Sequence, residues 1–151
     1  MDKYGKSFVS ALSEHNIKYS IEDEDDTISI YIAISEDDEI EEMVYQNSKS
    51  FAFEVAFRWD VTEKERAILY EYINYVNCDL FKARFVYDID SKTIEVRHYL
   101  DKFDSIDGDM YIFNALLPIM MFIKYGMFID DVIEGKCTPA EAIDIINRED
   151  K

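Results

Sequence analysis

The sequence predicts an α+β fold, with helices packed on an antiparallel β-sheet. Three observations carry this. Residues 27–35 and 50–59 alternate strictly between apolar and small or polar side chains, the signature of strands with one buried face. Apolar residues at helical spacing, framed by capping residues, recur at the start, middle and end of the chain. No Pro-, Gly- or Ser-rich linker interrupts the 151 residues, so one domain over 1–151 is expected.

A first helix is predicted over residues 3–15. Asp2 caps its free amides, and Tyr4, Phe8, Ala11 and Leu12 share one face. Asn16 suits a left-handed stop, with Ile17 folding back as the hydrophobic contact. Tyr19 and Ile21 fit the start of a sheet. In 27–35, Ile28, Ile30, Ile32 and Ile34 alternate with Ser29, Tyr31 and Ala33. In 50–59, Phe51, Phe53, Val55, Phe57 and Trp59 alternate with Ala52, Glu54, Ala56 and Arg58. The acidic connection between them suits a meander, with a short strand around 40–46.

Thr62 and Glu65 form a capping box that opens a second helix. Leu69, Tyr72, Ile73, Val76 and Leu80 make its buried stripe, and the helix should end near Asn77. A hairpin follows, 83–88 and 93–100, turning at Asp90 and Ser91. Ile94, Val96, His98 and Leu100 share one face of its second strand. The last third is helical. Asp107 or Asp109 caps a helix that runs to about Tyr125, bends at Pro118 and stops at Gly126. A short helix over 127–134 ends at Gly135, and Thr138-Pro139-Ala140-Glu141 opens another. The order is α-β-β-(β)-α-β-β-α.

Charge narrows the function classes. The chain has 33 acidic and 16 basic residues, a net charge of −17. That balance excludes a nucleic-acid binder, which needs Lys and Arg to displace phosphate counterions, and disfavours docking on anionic membranes. A content of 48% hydrophobic and 15% aromatic residues is too rich for a disordered acidic tail. Cys78 and Cys137 form no CxxC pair and no disulfide framework, which fits a reducing cytoplasm. The start MDKYGKSF has no apolar core of a signal peptide. Residues 110–129 approach the roughly 20 residues of a bilayer span. Asn114, Pro118, Lys124 and Gly126 break that stretch and acids flank it, so a buried helix or helix pair is expected, without a membrane.

No catalytic signature appears. His15 and His98 lack neighbours at metal-ligand spacing, and His98 reads as a hydrogen-bonded core histidine. Phosphate-cradling glycine loops and a GxSxG elbow are missing. Asp88-x-Asp90 starts like a calcium loop, but Lys92 and Tyr99 occupy ligand positions. Asp101, Asp104, Asp107 and Asp109 form a loose acidic loop suited at most to weak divalent-ion binding. No enzyme activity, cofactor or resident metal is expected.

The surfaces are more informative. Tyr31, Ala33, Ala52 and Ala56 occupy the outer face of the two clear strands. They fit either ordinary surface tolerance or a face covered in a dimer or by a partner. Met110, Met120, Met121 and Met127 fit either core packing or an adaptable groove for peptide segments. The acidic blocks 22–26 and 36–42 read as solvated loops, which solubilise the chain or steer a basic partner toward it.

Residues 69–77 read LYEYINYVN, followed by the hairpin strands FKARFVYD (81–88) and TIEVRHYL (93–100), then the long apolar helix 109–125. This resembles the YbjN-like family, bacterial proteins described as candidate sensory transduction regulators. Their fold is similar to that of type III secretion chaperones. Asn74 and Asn77 match the family's N-x-x-N helix end. Physically, Asn77 suits a left-handed helix cap, and Asn74 a bond to the following turn. The resemblance implies a non-catalytic protein-binding module, chaperone-like or regulatory, acting as a homodimer. Its candidate interaction residues are Tyr31, Ala33, Ala52, Ala56, Met120 and Met121. The alternative is an acidic immunity-type inhibitor that neutralises a basic protein.

Overall fold

Local signals become elements in the computed structural model, which describes residues 1–22, 25–80 and 82–151. The elements are α1 (Lys3–Glu14), β1 (Lys18–Glu22), β2 (Thr27–Ala33), β3 (Glu39–Gln46), β4 (Ser50–Arg58), α2 (Glu63–Asp79), β5 (Arg84–Asp88), β6 (Thr93–Asp101), α3 (Gly108–Gly126), α4 (Ile129–Ile133) and α5 (Pro139–Glu149). The six strands form one sheet in the order β1-β2-β3-β4-β6-β5. β1 to β4 are an antiparallel meander, with Ile21 opposite Ile28, Ile30 opposite Glu42 and Val44 opposite Phe53. β6 runs antiparallel to β4. At one end the Trp59 N–H donates to the Lys92 carbonyl at 2.8 Å, and at the other Lys102 donates to Lys49 at 2.7 Å. The fold class is therefore α+β with an antiparallel sheet, an N-terminal helix, a central helix and C-terminal helices, as the sequence predicts.

The described residues group into two compact units, one of residues 1–55 and 97–119, the other of 56–96 and 120–151. In the first, Asp2 Oδ1 accepts from the Gly5 N–H at 2.8 Å and starts α1. Asn16 stops the helix at φ 55°, and the Ile17 N–H returns to the Leu12 carbonyl at 2.9 Å. Phe8, Ala11 and Leu12 of α1 pack with Ile28, Ile30, Val44, Phe51 and Phe53 of the sheet and with Tyr111, Ile112 and Ala115 of α3. This is the core of that unit.

β3 forms where a short strand around 40–46 is expected, and its start at Glu39 corrects the reading of the acidic block. Block 36–42 is not wholly a solvated loop, because Glu39, Glu41 and Glu42 belong to an eight-residue strand. Glu39 and Glu41 point to the exposed face, whereas Ile40, Glu42 and Val44 are buried. The other block, 22–26, falls partly outside the described residues at Asp23 and Glu24. Phe81 of the hairpin segment also falls outside them.

In the second unit both reciprocal capping boxes form, Thr62 with Glu65 on α2 and Thr138 with Glu141 on α5. α4 and α5 pack against α2, whose Leu69, Tyr72, Ile73 and Val76 are buried. The Tyr72 hydroxyl donates to the Tyr125 carbonyl at 2.6 Å, and the Tyr125 hydroxyl to Asp79 at 2.7 Å. Gly135, at φ 75°, closes the turn after α4 in a conformation that other residues adopt at a cost. Thr138→Ala removes the acceptor for the Glu141 N–H. It should cost about 1 kcal/mol, read as a lower urea midpoint with an unchanged slope.

α3 starts where Asp107 Oδ1 accepts from the Met110 N–H at 2.8 Å, and it continues through Pro118. The stretch Gly108–Ile133 is long and apolar enough to cross a membrane by length and composition alone, but half of its most apolar window is buried inside the protein. Tyr111, Ile112, Asn114, Ala115, Leu117 and Ile119 are among the buried residues of α3.

Candidate interaction surfaces

Two surfaces follow from the sequence, and both must be judged by their neighbours. On the sheet, Tyr31 pairs with Glu41, Ala33 with Glu39, and Ala52 with Tyr45. β3 therefore inserts two exposed acids beside the apolar residues of β2. Tyr31 is half-buried and already engaged: its hydroxyl lies 3.2 Å from Ser20 Oγ, and the Lys18 ammonium sits 4.8 Å from its ring centroid. Ala33 and Ala56 are exposed and Ala52 is half-buried. Farther along this face Arg97 Nε stands 3.0 Å from Glu54 Oε2. The face is a mixture of small, aromatic and charged side chains, and a partner covering it must meet Glu39 and Glu41.

α3 carries the more apolar surface. Met120 is 40% exposed, and Met121 is half-buried. Phe113 at 51% and Ile123 at 55% exposure belong to the same row. Positions 113, 116, 120 and 123 are three or four residues apart, so Phe113, Leu116, Met120 and Ile123 align along one side of the helix. Sequence reasoning singled out the methionines and missed Phe113 and Ile123. Their spacing is visible in the sequence, but the whole helix is apolar and no pattern told the covered side from the open one.

The two asparagines divide. Asn74 is exposed on α2. Asn77 is not a left-handed cap, because α2 continues through it to Asp79 and the positive-φ residues described are Asn16, Asp26, Lys92 and Gly135. Its side chain instead grips β5. Oδ1 accepts from the Phe85 N–H at 2.8 Å, and Nδ2 donates to the Phe85 carbonyl at 2.9 Å.

The titratable side chains serve structure. His98 is buried, stacks on Phe53 and places Nε2 at 2.7 Å from Asn114 Oδ1, so that nitrogen carries the proton. Asn114 Nδ2 in turn donates to the Met110 carbonyl at 2.7 Å. In the acidic loop, Asp104 accepts from Lys3 at 2.6 Å and from the Tyr4 hydroxyl at 2.9 Å, and the Lys3 ammonium holds its carboxyl below the usual range. Asp107 is occupied as a cap. Among the described residues no group of three or more His, Cys, Asp or Glu side chains is placed to hold a metal ion. A shallow depression of about 370 Å³ in the second unit is lined by Lys136, Cys137, Glu141, Asp144, Ile145 and Arg148. Lys136 is paired there with Asp131 and Glu134, and burial pushes the Cys137 thiol up, away from a reactive thiolate.

No protein-family model matches the sequence, and no curated protein matches it. Similarity is found at the level of structure. The crystal structure of YbjN from E. coli, a protein proposed to be a transcription regulator, aligns with a TM-score of 0.57, covering 87% of this chain and 90% of that chain. Identity over the alignment is 7%, so the likeness is one of fold. The chain has a YbjN-like fold.

Proposed function

We propose that this chain is a non-catalytic protein-binding module, regulatory or chaperone-like, that acts as a homodimer in the cytoplasm. The observation that carries the reading is the set of exposed apolar side chains on α3, Phe113, Met120 and Ile123, beside Leu116, which is half-buried against the core. An exposed patch of large side chains is costly in water unless a partner covers it. The likeness to a protein proposed as a transcription regulator supports a regulatory rather than an enzymatic role. The free thiols of Cys78 and Cys137 fit a reducing compartment.

A second copy is the occupant that fits the charge. Within Gly108–Gly126 the charged residues are Asp109 and Lys124, in a chain of net charge −17. Two copies that meet along α3 avoid setting acid against acid, which meeting on β3 would force. The Met side chains suit an interface that adapts as it packs. Light scattering at micromolar concentration should give the mass of a dimer. Met120→Glu combined with Ile123→Glu should give the monomer mass with an unchanged circular dichroism spectrum. A monomeric parent protein, or a double variant that stays dimeric, defeats the proposal.

A second reading, an acidic inhibitor of a basic protein, draws on Glu36, Asp37, Asp38, Glu39 and Glu41, all exposed around the β2–β3 turn. It requires association that slows steeply with salt. Neutralising these five residues separates the readings, because it abolishes that salt dependence and leaves the α3 dimer intact.

A further inference from the structure

Glu42 sets a carboxyl group in an apolar layer of the core. Along β3 the buried side chains are Ile40, Glu42 and Val44. Glu42 is 0% exposed, between Ile30 of β2 and Val55 of β4 in the register of the sheet. Among the described residues neither Oε1 nor Oε2 has a hydrogen-bond partner. A carboxylate held like this would be an uncompensated charge in an apolar layer, which proteins avoid by keeping the group protonated. Burial accordingly raises its proton affinity well above that of an ordinary glutamate.

Among the described residues no charge offsets this burial. The buried-face residues of β2 and β4 are Ile28, Ile30, Ile32, Phe51, Phe53 and Val55. The ionisable groups that other elements bring to this core or its rim are Tyr19 of β1, Tyr4 of α1, Tyr111 of α3, His98 of β6 and Lys102. His98 is bonded to Asn114. The Lys102 ammonium is held by Asp2 at 2.8 Å, Gln46 at 3.2 Å and the Asn47 carbonyl at 2.6 Å. Gln46 is four residues along the strand from Glu42.

We propose that Glu42 is a proton-operated latch: while it carries its proton the sheet and helices of the first unit stay packed, and when the proton leaves that packing opens. The inference stands apart from the dimer on α3 and does not need it.

The direction follows from linkage. The unfolded chain releases this proton near the ordinary value of 4.5, and the folded chain keeps it to higher pH. Above that value the folded state binds more protons than the unfolded state, so stability falls as pH rises. The folding equilibrium weakens by up to tenfold per pH unit for as long as the folded chain keeps the proton. Below the ordinary value the penalty vanishes.

Urea unfolding from pH 5 to pH 9 tests this on the whole chain, with Glu42→Gln and Glu42→Leu beside the parent. The other acids repel one another equally in all three proteins, so the difference between them isolates Glu42. The parent should lose stability relative to both variants as pH rises, and its binding of an apolar fluorescent dye should rise with pH while theirs stays flat. Parallel profiles overturn the proposal. Should both variants fail to fold, the carboxyl-carbon NMR shift of Glu42 in the parent decides. A protonated signal at pH 7 that is lost together with core packing supports the latch, and an ionised signal in the folded chain at pH 6 overturns it.

Discussion

Phe8→Ala should remove about 3–5 kcal/mol of stability, a large fraction of the 5–15 kcal/mol that a domain typically holds. Phe8 is fully buried on the inner side of α1. Its ring lies 5.5 Å from Phe51, 5.8 Å from Phe53 in an edge-on arrangement, and 5.5 Å from Tyr111. It thus joins α1 to β4 and α3 within the first unit. Truncation takes away transfer free energy and leaves a void between elements that a strand cannot easily move to fill. Edge-on aromatic pairs add about 0.5–1.5 kcal/mol each beyond burial. Phe8→Leu keeps most of the volume and should cost clearly less, so the gap between the two variants measures the void. Urea midpoints read both. A loss below about 1 kcal/mol for the alanine variant would mean that the cluster is not the centre of this core.

The elements that obey local rules were legible in the sequence. Asp2, Thr62 and Thr138 each start a helix because a side-chain oxygen is needed there, and each does so in the structure. β2 and β4 were legible because one face of each is apolar without exception. β3 was legible as a short strand around 40–46, but its start at Glu39 and the inward position of Glu42 were not, because three acids in four positions break the apolar alternation there. The placement of β6 between β4 and β5 is a long-range choice that no local period encodes. The same limit applies to the surfaces. Tyr31, Ala33, Ala52 and Ala56 were rightly placed on one face, but the face takes its character from β3, which sets Glu39 and Glu41 among them. On α3 the methionines were visible as a type. The open side of the helix was not, because exposure of an apolar helix depends on what packs against it.

Asn77→Ala should cost about 1–3 kcal/mol, the usual range for backbone groups left without partners in a partly buried place. Asn77 stands in the last turn of α2, and its amide meets both the N–H and the carbonyl of Phe85. β5 is one of the two edge strands of the described sheet, β1 being the other. Groups of Phe85 that bond to a side chain of α2 are not available to a neighbouring strand, so the asparagine closes an edge that would otherwise invite pairing with another chain. It also fixes the depth of Phe85, whose buried ring packs against Tyr125 at 6.1 Å. The N-x-x-N motif therefore has a physical reason at its second asparagine that does not involve a ligand. Asn77→Asp is the sharper test. It keeps the acceptor for the Phe85 N–H but sets a carboxylate oxygen against the Phe85 carbonyl, so its loss should exceed that of alanine at neutral pH. Protonation restores a donor there, so the aspartate variant should regain stability as pH falls through the carboxyl range. Hydrogen exchange at the Phe85 amide should quicken in both variants, while amides in the middle of α2 keep their protection. Unchanged exchange at Phe85 would show that the hairpin holds β5 without the asparagine.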